Sequence, residues 1–424
     1  MIKALFEFSL PTRALSTPLL ALCAFLLLCP QANAQQAVER GAELRASDLL
    51  PRARLLGPNY VVLERVRNDG FVNHYTLSVD GGSYIVSGNV LMRQRLDELA
   101  ALQTMRAVEK TDVYKSSLKK AAGGALRTVK GLVTSPVQTV KGVATGFGTF
   151  FKGVGHSIFG GASDQEEGVL KTMIGFDAVK RKFAYKFGVD PYTSFPPVKE
   201  RLEEISWTGV AGNLTVTAAF QPLSKGARAT AKMAKTSDAV KQLVRDTPPV
   251  KLREINARKL KAMDVDETAA ELFLEHPSFS PTQKTFLVEA LARVGVHNRQ
   301  AFIKRAILVQ NEEMAFFMRR WAEMIAAYHT HIKPSIRLVR VGKAPFLQRQ
   351  DGVIVGLFPV DYISWNENIA GRYATSMKDI PNVQNITGGE MWFEGGVSPK
   401  ARQILESANW KVYENVGRTL KLDQ

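Results

Sequence analysis

The chain has 424 residues, a formal charge of +16 from 56 Lys and Arg against 40 Asp and Glu, and only two cysteines. Cys23 and Cys29 both lie near the start, so the rest of the chain has no disulfide framework, thiolate metal site or cysteine nucleophile. The excess of positive charge favours polyanionic partners. No RNP-like, zinc-finger or helix-turn-helix pattern accompanies it, so nucleic acid is not an expected partner.

Residues 1–34 read as a secretory signal peptide. Lys3 and Arg13 give a positive n-region, Leu19 to Leu28 is an apolar stretch too short to span a bilayer, and Ala32-Asn33-Ala34 is an A-x-A cleavage site. A lipoprotein signal through Cys29 is disfavoured because bulky Leu28 precedes it. Export to a bacterial periplasm, outer envelope or beyond is the expectation. Anionic lipid headgroups or anionic cell-envelope polymers are then the natural polyanions.

Residues 35–113 are expected to form a small α+β unit. A short helix is expected near Ala37 to Leu50. Tyr60–Val66, Phe71–Val79 and Ser83–Ser87 are rich in β-formers and separated by Asn68-Asp69-Gly70 and Asp80-Gly81-Gly82, which predicts a β-meander. Leu91, Leu96, Leu99, Leu102 and Met105 recur at helical intervals, placing one helix over a face of that sheet.

Residues 114–162 carry a repeat. Thr128-Val129-Lys130-Gly131-Leu132 returns as Thr139-Val140-Lys141-Gly142-Val143, and more loosely as Phe150-Phe151-Lys152-Gly153-Val154, with a period of 11. Eleven residues make three helical turns of about 3.67 residues each, so Lys130, Lys141 and Lys152 would form one stripe along a helix and Val129, Val140 and Phe151 another. That is the layout of a helix lying on a lipid surface, lysines to headgroups and Phe147, Phe150 and Phe151 to the acyl boundary. Its glycines each cost about 1 kcal/mol relative to Ala in a helix, and Pro136 interrupts the run. The segment therefore reads as helix that forms only against an apolar surface, with a flexible linker, or packing against the rest of the chain, as the competing readings. In period and in its Thr-Val-Lys-Gly-Val unit it resembles the 11-residue lipid-surface repeats of synucleins and perilipins. The resemblance covers Lys115 to Gly161 alone and lacks the acidic positions of those repeats.

Residues 163–250 read as basic and helical. Gly168 to Gly188 combines Leu170, Ile174, Val179, Phe183 and Phe187 with Lys171, Lys180, Arg181, Lys182 and Lys186, which predicts a basic amphipathic helix. Val198 to Trp207 is a second helix, and Gly209 to Phe220 is ambiguous between strand and buried helix. Lys225 to Arg245 is strongly basic, with a solvated helix face as the default.

Residues 251–424 are expected to form a C-terminal α+β domain, with Thr247-Pro248-Pro249 as its boundary. Helices are predicted over Leu252–Met263, 266–274, 280–295, Arg299–Gln310, Asn311–His331 and Ala401–Trp410, and strands over Ile336–Val341, Val353–Phe358 and Asn385–Phe393. Ser280-Pro281 and Ser398-Pro399 are helix starts, serine as N-cap and proline at the first helical position. The fold class expected for the whole is α+β, predominantly helical.

Candidate chemistry is sparse. Phe358-Pro359-Val360-Asp361-Tyr362-Ile363-Ser364-Trp365 joins a carboxylate, hydroxyls and aromatic rings after a β-like run, so Asp361 would be a general base with Ser364 or Tyr362 nearby, or else the N-cap of a following helix among core aromatics. His329 and His331 sit at a helix end, where residues two apart diverge by about 200°. They are expected to contact the helix dipole rather than hold a metal with Glu323. No nucleophile elbow, H-E-x-x-H, P-loop or dinucleotide fingerprint occurs, and no cofactor is expected. The leading expectation is an exported, non-enzymatic protein on an anionic membrane surface, its C-terminal domain engaging a protein partner or ligand. The alternatives are a periplasmic hydrolase with its pocket around Asp361, and a secreted effector that inserts into a target membrane.

Overall fold

The structure is a computed structural model and describes residues 38–39, 43–124, 164–223 and 239–422. The expected signal peptide and the repeat positions Lys130, Lys141, Phe147, Phe150, Phe151 and Lys152 lie outside the described residues. The fold is mixed α+β and mainly helical, and the described residues from Glu39 onward fold as one unit.

The N-terminal strands are β1 (Glu43–Arg45), β2 (Leu56–Gly57), β3 (Tyr60–Val62), β4 (Arg65–Asn68), β5 (Asn73–Val79) and β6 (Gly82–Ser87). β3 and β4 run successively along one side of β5 and β6 along the other, all antiparallel, with β1 outside β4 and β2 outside β3. A two-residue turn, Asp80-Gly81, joins β5 to β6 with positive φ at both positions, as a tight hairpin requires. The expected lead-in helix is reduced to α1 (Ala46–Leu49), because Glu43–Arg45 pairs with β4 instead.

Alternation along β5 places Tyr75, Leu77 and Val79 on the inner face. Helix α2 (Asn89–Glu109) covers that face with Leu91, Leu96, Leu99, Leu102 and Met105. Burying each such leucine contributes about 1.5–3 kcal/mol. The same core takes in α3 (Asp112–Gly124) through Tyr114, α4 (Asp164–Phe187) through Phe183 and Phe187, α5 (Pro196–Gly212) through Val198, Leu202 and Ile205, and α6 (Val216–Phe220) through Phe220. The ambiguous run from Gly209 is thus the end of α5, a left-handed break at Asn213, and α6.

Helices α7 (Ala239–Asp246), α8 (Pro249–Ala262), α9 (Glu267–Leu274), α10 (Pro281–Arg293), α11 (Gln300–Ala306) and α12 (Glu312–His331) follow. α10 starts with a full capping box: Gln283 N–H donates to Ser280 Oγ at 3.1 Å, and Ser280 N–H donates to Gln283 Oε1 at 3.0 Å. The C-terminal sheet has the order β13-β11-β9-β8-β7, from β7 (Ser335–Val341), β8 (Ala344–Arg349), β9 (Val353–Phe358), β11 (Gly388–Phe393) and β13 (Trp410–Tyr413). β7, β8 and β9 are antiparallel, whereas β9, β11 and β13 are parallel. The parallel connections need crossovers, supplied by α13 (Glu367–Met377) and α14 (Pro399–Ser407). A short parallel pair, β10 (Tyr362–Ile363) with β12 (Gly396–Val397), follows the ends of β9 and β11.

One face of the sheet packs Leu338, Leu347, Val355, Leu357 and Trp392 against the helices α9–α12. The other packs Phe346, Ile354, Met391 and Phe393 against Ile369 of α13 and Ala401 and Leu405 of α14. The sequence reading missed β8 and β13. β8 is buried on both faces and so shows no alternation, and Trp410 begins β13 rather than ending a helix, which stops at Ser407.

Candidate functional site

Asp361 follows β9, where Pro359 lacks the N–H that would continue the ladder. Its own N–H donates to the Phe71 carbonyl at 2.8 Å, and its carbonyl accepts from Gly396 N–H at 3.1 Å. Its carboxylate is shared between two backbone donors: Asn73 N–H to Oδ2 at 2.8 Å and Asn89 N–H to Oδ1 at 2.9 Å. Asn89 opens α2, whose N-cap Gly88 has no side chain to offer, so a carboxylate from the far end of the chain caps that helix. A Cβ at Gly395 would overlap the Asp361 carbonyl, so only glycine admits this approach.

The amides around Asp361 are mutually bound. Asn68 Nδ2 donates to Asn73 Oδ1 at 2.9 Å, while Asn73 Nδ2 at 2.9 Å and the Tyr75 hydroxyl at 2.5 Å both donate to Asn89 Oδ1. Burial pushes the Asp361 carboxyl up to about 6, against the pull of the Asn73 and Asn89 N–H groups. A general base needs an oxygen turned toward a substrate. Both oxygens of Asp361 are turned to the backbone, so the residue joins the N-terminal sheet and α2 to the C-terminal sheet. It is not the N-cap of the next helix either, since Asn366 caps α13 by accepting from Ile369 N–H at 2.9 Å.

The other candidates do not converge on it. Ser364 is buried, and its Oγ has no hydrogen-bond partner among the described residues. Tyr362 is half-buried and Trp365 is buried, with the Trp365 N–H donating to Glu39 Oε2 at 2.5 Å. His329 Nδ1 accepts the Ser335 N–H at 3.1 Å, tying the end of α12 to β7 rather than donating to the helix carbonyls, and burial pulls its pKa down. Glu323 is held by Arg319 at 3.0 Å and Arg320 at 3.2 Å, away from metal duty. Among the described residues no three His, Cys, Asp or Glu side chains are grouped to hold a metal.

A different surface forms where α3, α5 and α4 pack side by side. Tyr114 of α3 meets Thr208 of α5 with their hydroxyl oxygens 3.5 Å apart, and a Cβ at Gly212 would overlap the Ser117 carbonyl, so α3 and α5 approach backbone to backbone. On the other flank Lys180 of α4 pairs with Glu203 at 2.9 Å, and Phe176 stacks on Trp207 with centroids 4.3 Å apart. These registers run α3 along α5 and α4 against it. The last turn of α3 and the first turns of α4 therefore reach the same end of α5. Leu118, Ile174 and Trp207 stand there 47%, 58% and 37% exposed, with Lys115, Lys119 and Lys120 also exposed on α3.

The basic amphipathic reading of α4 needs correction at two lysine or arginine positions. Lys180 and Arg181 are buried, Lys180 on Glu203 and Arg181 on Asp177 and the Arg245 carbonyl, so they offer no charge to solvent. Ile174 is not a core residue. Val179, Phe183 and Phe187 are spaced by four and share a stripe, whereas Ile174 lies five before Val179, about 140° round the helix. That spacing was the signal available in the sequence. Trp207 carried none, because its exposure depends on which face of α5 its neighbours cover.

Comparison with family models, curated proteins and solved structures finds no match to this chain.

Proposed function

We propose that the protein is an exported, non-enzymatic protein that associates peripherally with an anionic membrane surface. The observation that carries this reading is the exposed apolar end of the α3–α5–α4 layer. The basic 11-residue repeat lies in sequence between α3 and α4, and Leu118 of α3 and Ile174 of α4 stand exposed on the two helices that bracket it, beside the partly exposed Trp207 of α5. Exposed aliphatic side chains, a half-exposed tryptophan and unburied lysines together match the chemistry of the headgroup boundary. Among the described residues no helix is long and apolar enough to cross a membrane. We prefer this reading to the hydrolase alternative because both Asp361 oxygens accept backbone N–H groups.

The test is co-sedimentation of the full chain with vesicles of phosphatidylcholine alone and with added phosphatidylglycerol. Binding to the anionic vesicles alone, weakened by salt and lost on deletion of 125–163, is expected. Equal recovery with both vesicle types, or binding unaffected by that deletion, refutes the reading. Release of an encapsulated dye would favour the inserting-effector alternative instead.

A further inference from the structure

The N-terminal sheet ends on β6, along the side of β5 away from β3 and β4. Gly88 N–H donates to the Asn73 carbonyl at 2.8 Å, and on the other side of β5 Leu63 N–H donates to the Thr76 carbonyl at 2.9 Å. Alternation in an antiparallel ladder then makes Tyr75 with Val86, Leu77 with Tyr84 and Val79 with Gly82 the hydrogen-bonded pairs between β5 and β6. The N–H and C=O of Ser83, Ile85 and Ser87 therefore point away from β5, and they have no partner among the described residues.

Strand edges are ordinarily blunted by charged side chains or proline, kept short, or covered. β1 carries Glu43 and Arg45, β7 carries Arg337 and Arg340 and is bridged by His297, β13 carries Lys411, and β2 has two residues. β6, Gly-Ser-Tyr-Ile-Val-Ser, has neither charge nor proline. Its Tyr84 turns to the inner face and meets Phe195 at the start of α5, with ring centroids 5.2 Å apart, whereas Ser83 and Ile85 on the outer face are exposed, Ile85 by 61%. Ile85 lies opposite Thr76, and Leu63 reaches Thr76 from the other side, so a partly apolar row crosses the outer face and runs out at the open edge. Exposed Leu56 and Val61 lie in the next row.

We propose that β6 pairs antiparallel with β6 of a second copy of this chain, joining the two N-terminal sheets edge to edge. A two-fold axis at Ile85 sets Ile85 opposite Ile85 of the second copy and Ser83 opposite its Ser87. These are the three residues whose backbone groups point outward, and each donates one N–H and accepts one, so the edge is its own complement. The outer row then continues from Leu63 through both Ile85 side chains to Leu63 of the second copy, an apolar cross-strand contact of the kind that stabilises sheets. A net charge of +16 opposes self-association, and β6 is the edge that brings no charged side chain of its own to the axis. The inference is independent of the membrane reading and stands if that reading fails.

The test is sedimentation velocity of the full chain from about 1 to 100 μM, with amide hydrogen exchange read at both ends of that range. A dimer is expected, strengthened by salt as the like net charges are screened, with exchange at Ser83, Ile85 and Ser87 slowed at the higher concentration. Ile85→Lys sets like charges opposite each other at the axis and should raise the dimer dissociation constant roughly tenfold or more. Leu308→Lys adds the same charge at an exposed leucine elsewhere and should leave it unchanged. A monomer throughout, which leaves the edge to a foreign strand, overturns the proposal. So does a dimer indifferent to Ile85→Lys, or one weakened equally by Leu308→Lys. The exchange measurement needs no variant, so a dimer that leaves those three amides unprotected overturns it even if Ile85→Lys fails to fold.

Discussion

Asp361 caps the helix that begins at Asn89, 272 residues earlier in the chain, by accepting its N–H at 2.9 Å. The second oxygen holds Asn73 N–H in β5, so one carboxylate fastens two N-terminal elements to the loop that leaves β9. Asp361→Ala would leave both buried donors unsatisfied. We expect a loss of about 2–4 kcal/mol, read as a lower midpoint in urea unfolding. A midpoint unchanged within error would mean that the two N–H groups find other partners.

The same carboxyl sets a pH dependence. With its pKa raised to about 6 in the folded chain, Asp361 binds a proton more readily folded than unfolded between roughly pH 4 and 6. Stability from this group is therefore full below about pH 4 and declines as pH rises through 6, as the carboxyl ionises in its buried site. Asp361→Asn should flatten that slope while still folding. Urea midpoints collected from pH 4 to 7 for both chains provide the comparison, and parallel curves would contradict it.

Lys284 on α10 shows the opposite sign. Its ammonium donates to the Leu274 carbonyl at the end of α9 at 2.6 Å, and burial lowers its pKa to about 8. Between about pH 8 and 10.5 the folded chain holds fewer protons at this site than the unfolded chain, so stability should rise with pH across that window. Lys284→Met should abolish the rise. Chemical denaturation at pH 7.5 and 9.5 checks it.

Arg95 of α2 is buried beside Glu98, 2.8 Å away, and reaches Glu312 at the start of α12 at 3.4 Å, with Thr193 and Ser194 also in contact. Arg95→Ala would strand the buried Glu98 without its cation. A loss of about 3–5 kcal/mol is expected, the range for breaking a buried pair. Arg95→Met together with Glu98→Leu should recover most of it.

At the exposed end of the helical layer, Leu118→Ser with Ile174→Ser should reduce recovery on anionic vesicles severalfold while leaving the urea midpoint nearly unchanged, because both side chains are largely exposed and outside the cores. Gly212→Ala should act the other way, costing about 1–3 kcal/mol by pushing α3 from α5 at Ser117. Loss of vesicle binding only in the variant that also unfolds would indicate a structural effect.

Much of the secondary structure is written locally. Ser280 and Gln283 cap α10 from three residues apart, Ser398 caps α14, and Asp80-Gly81 turns β5 into β6, each within reach of its own neighbours. The stripe through Leu91, Leu96, Leu99, Leu102 and Met105 likewise needs only the helical period to be read. By itself, then, the sequence determined the mixed, mainly helical class, the meander with its covering helix, and the run of Ser-Pro helix starts. The tertiary structure alone decided the rest. Only packing from distant segments buries both faces of β8, turns Asp361 to a helix 272 residues away, consumes Lys180 and Arg181 in internal pairs, and leaves Ile85 exposed on an edge strand. Caps, turns and stripes depend on residues three or four apart, whereas burial and pairing depend on which remote surface arrives. That surface is fixed only when the cores close.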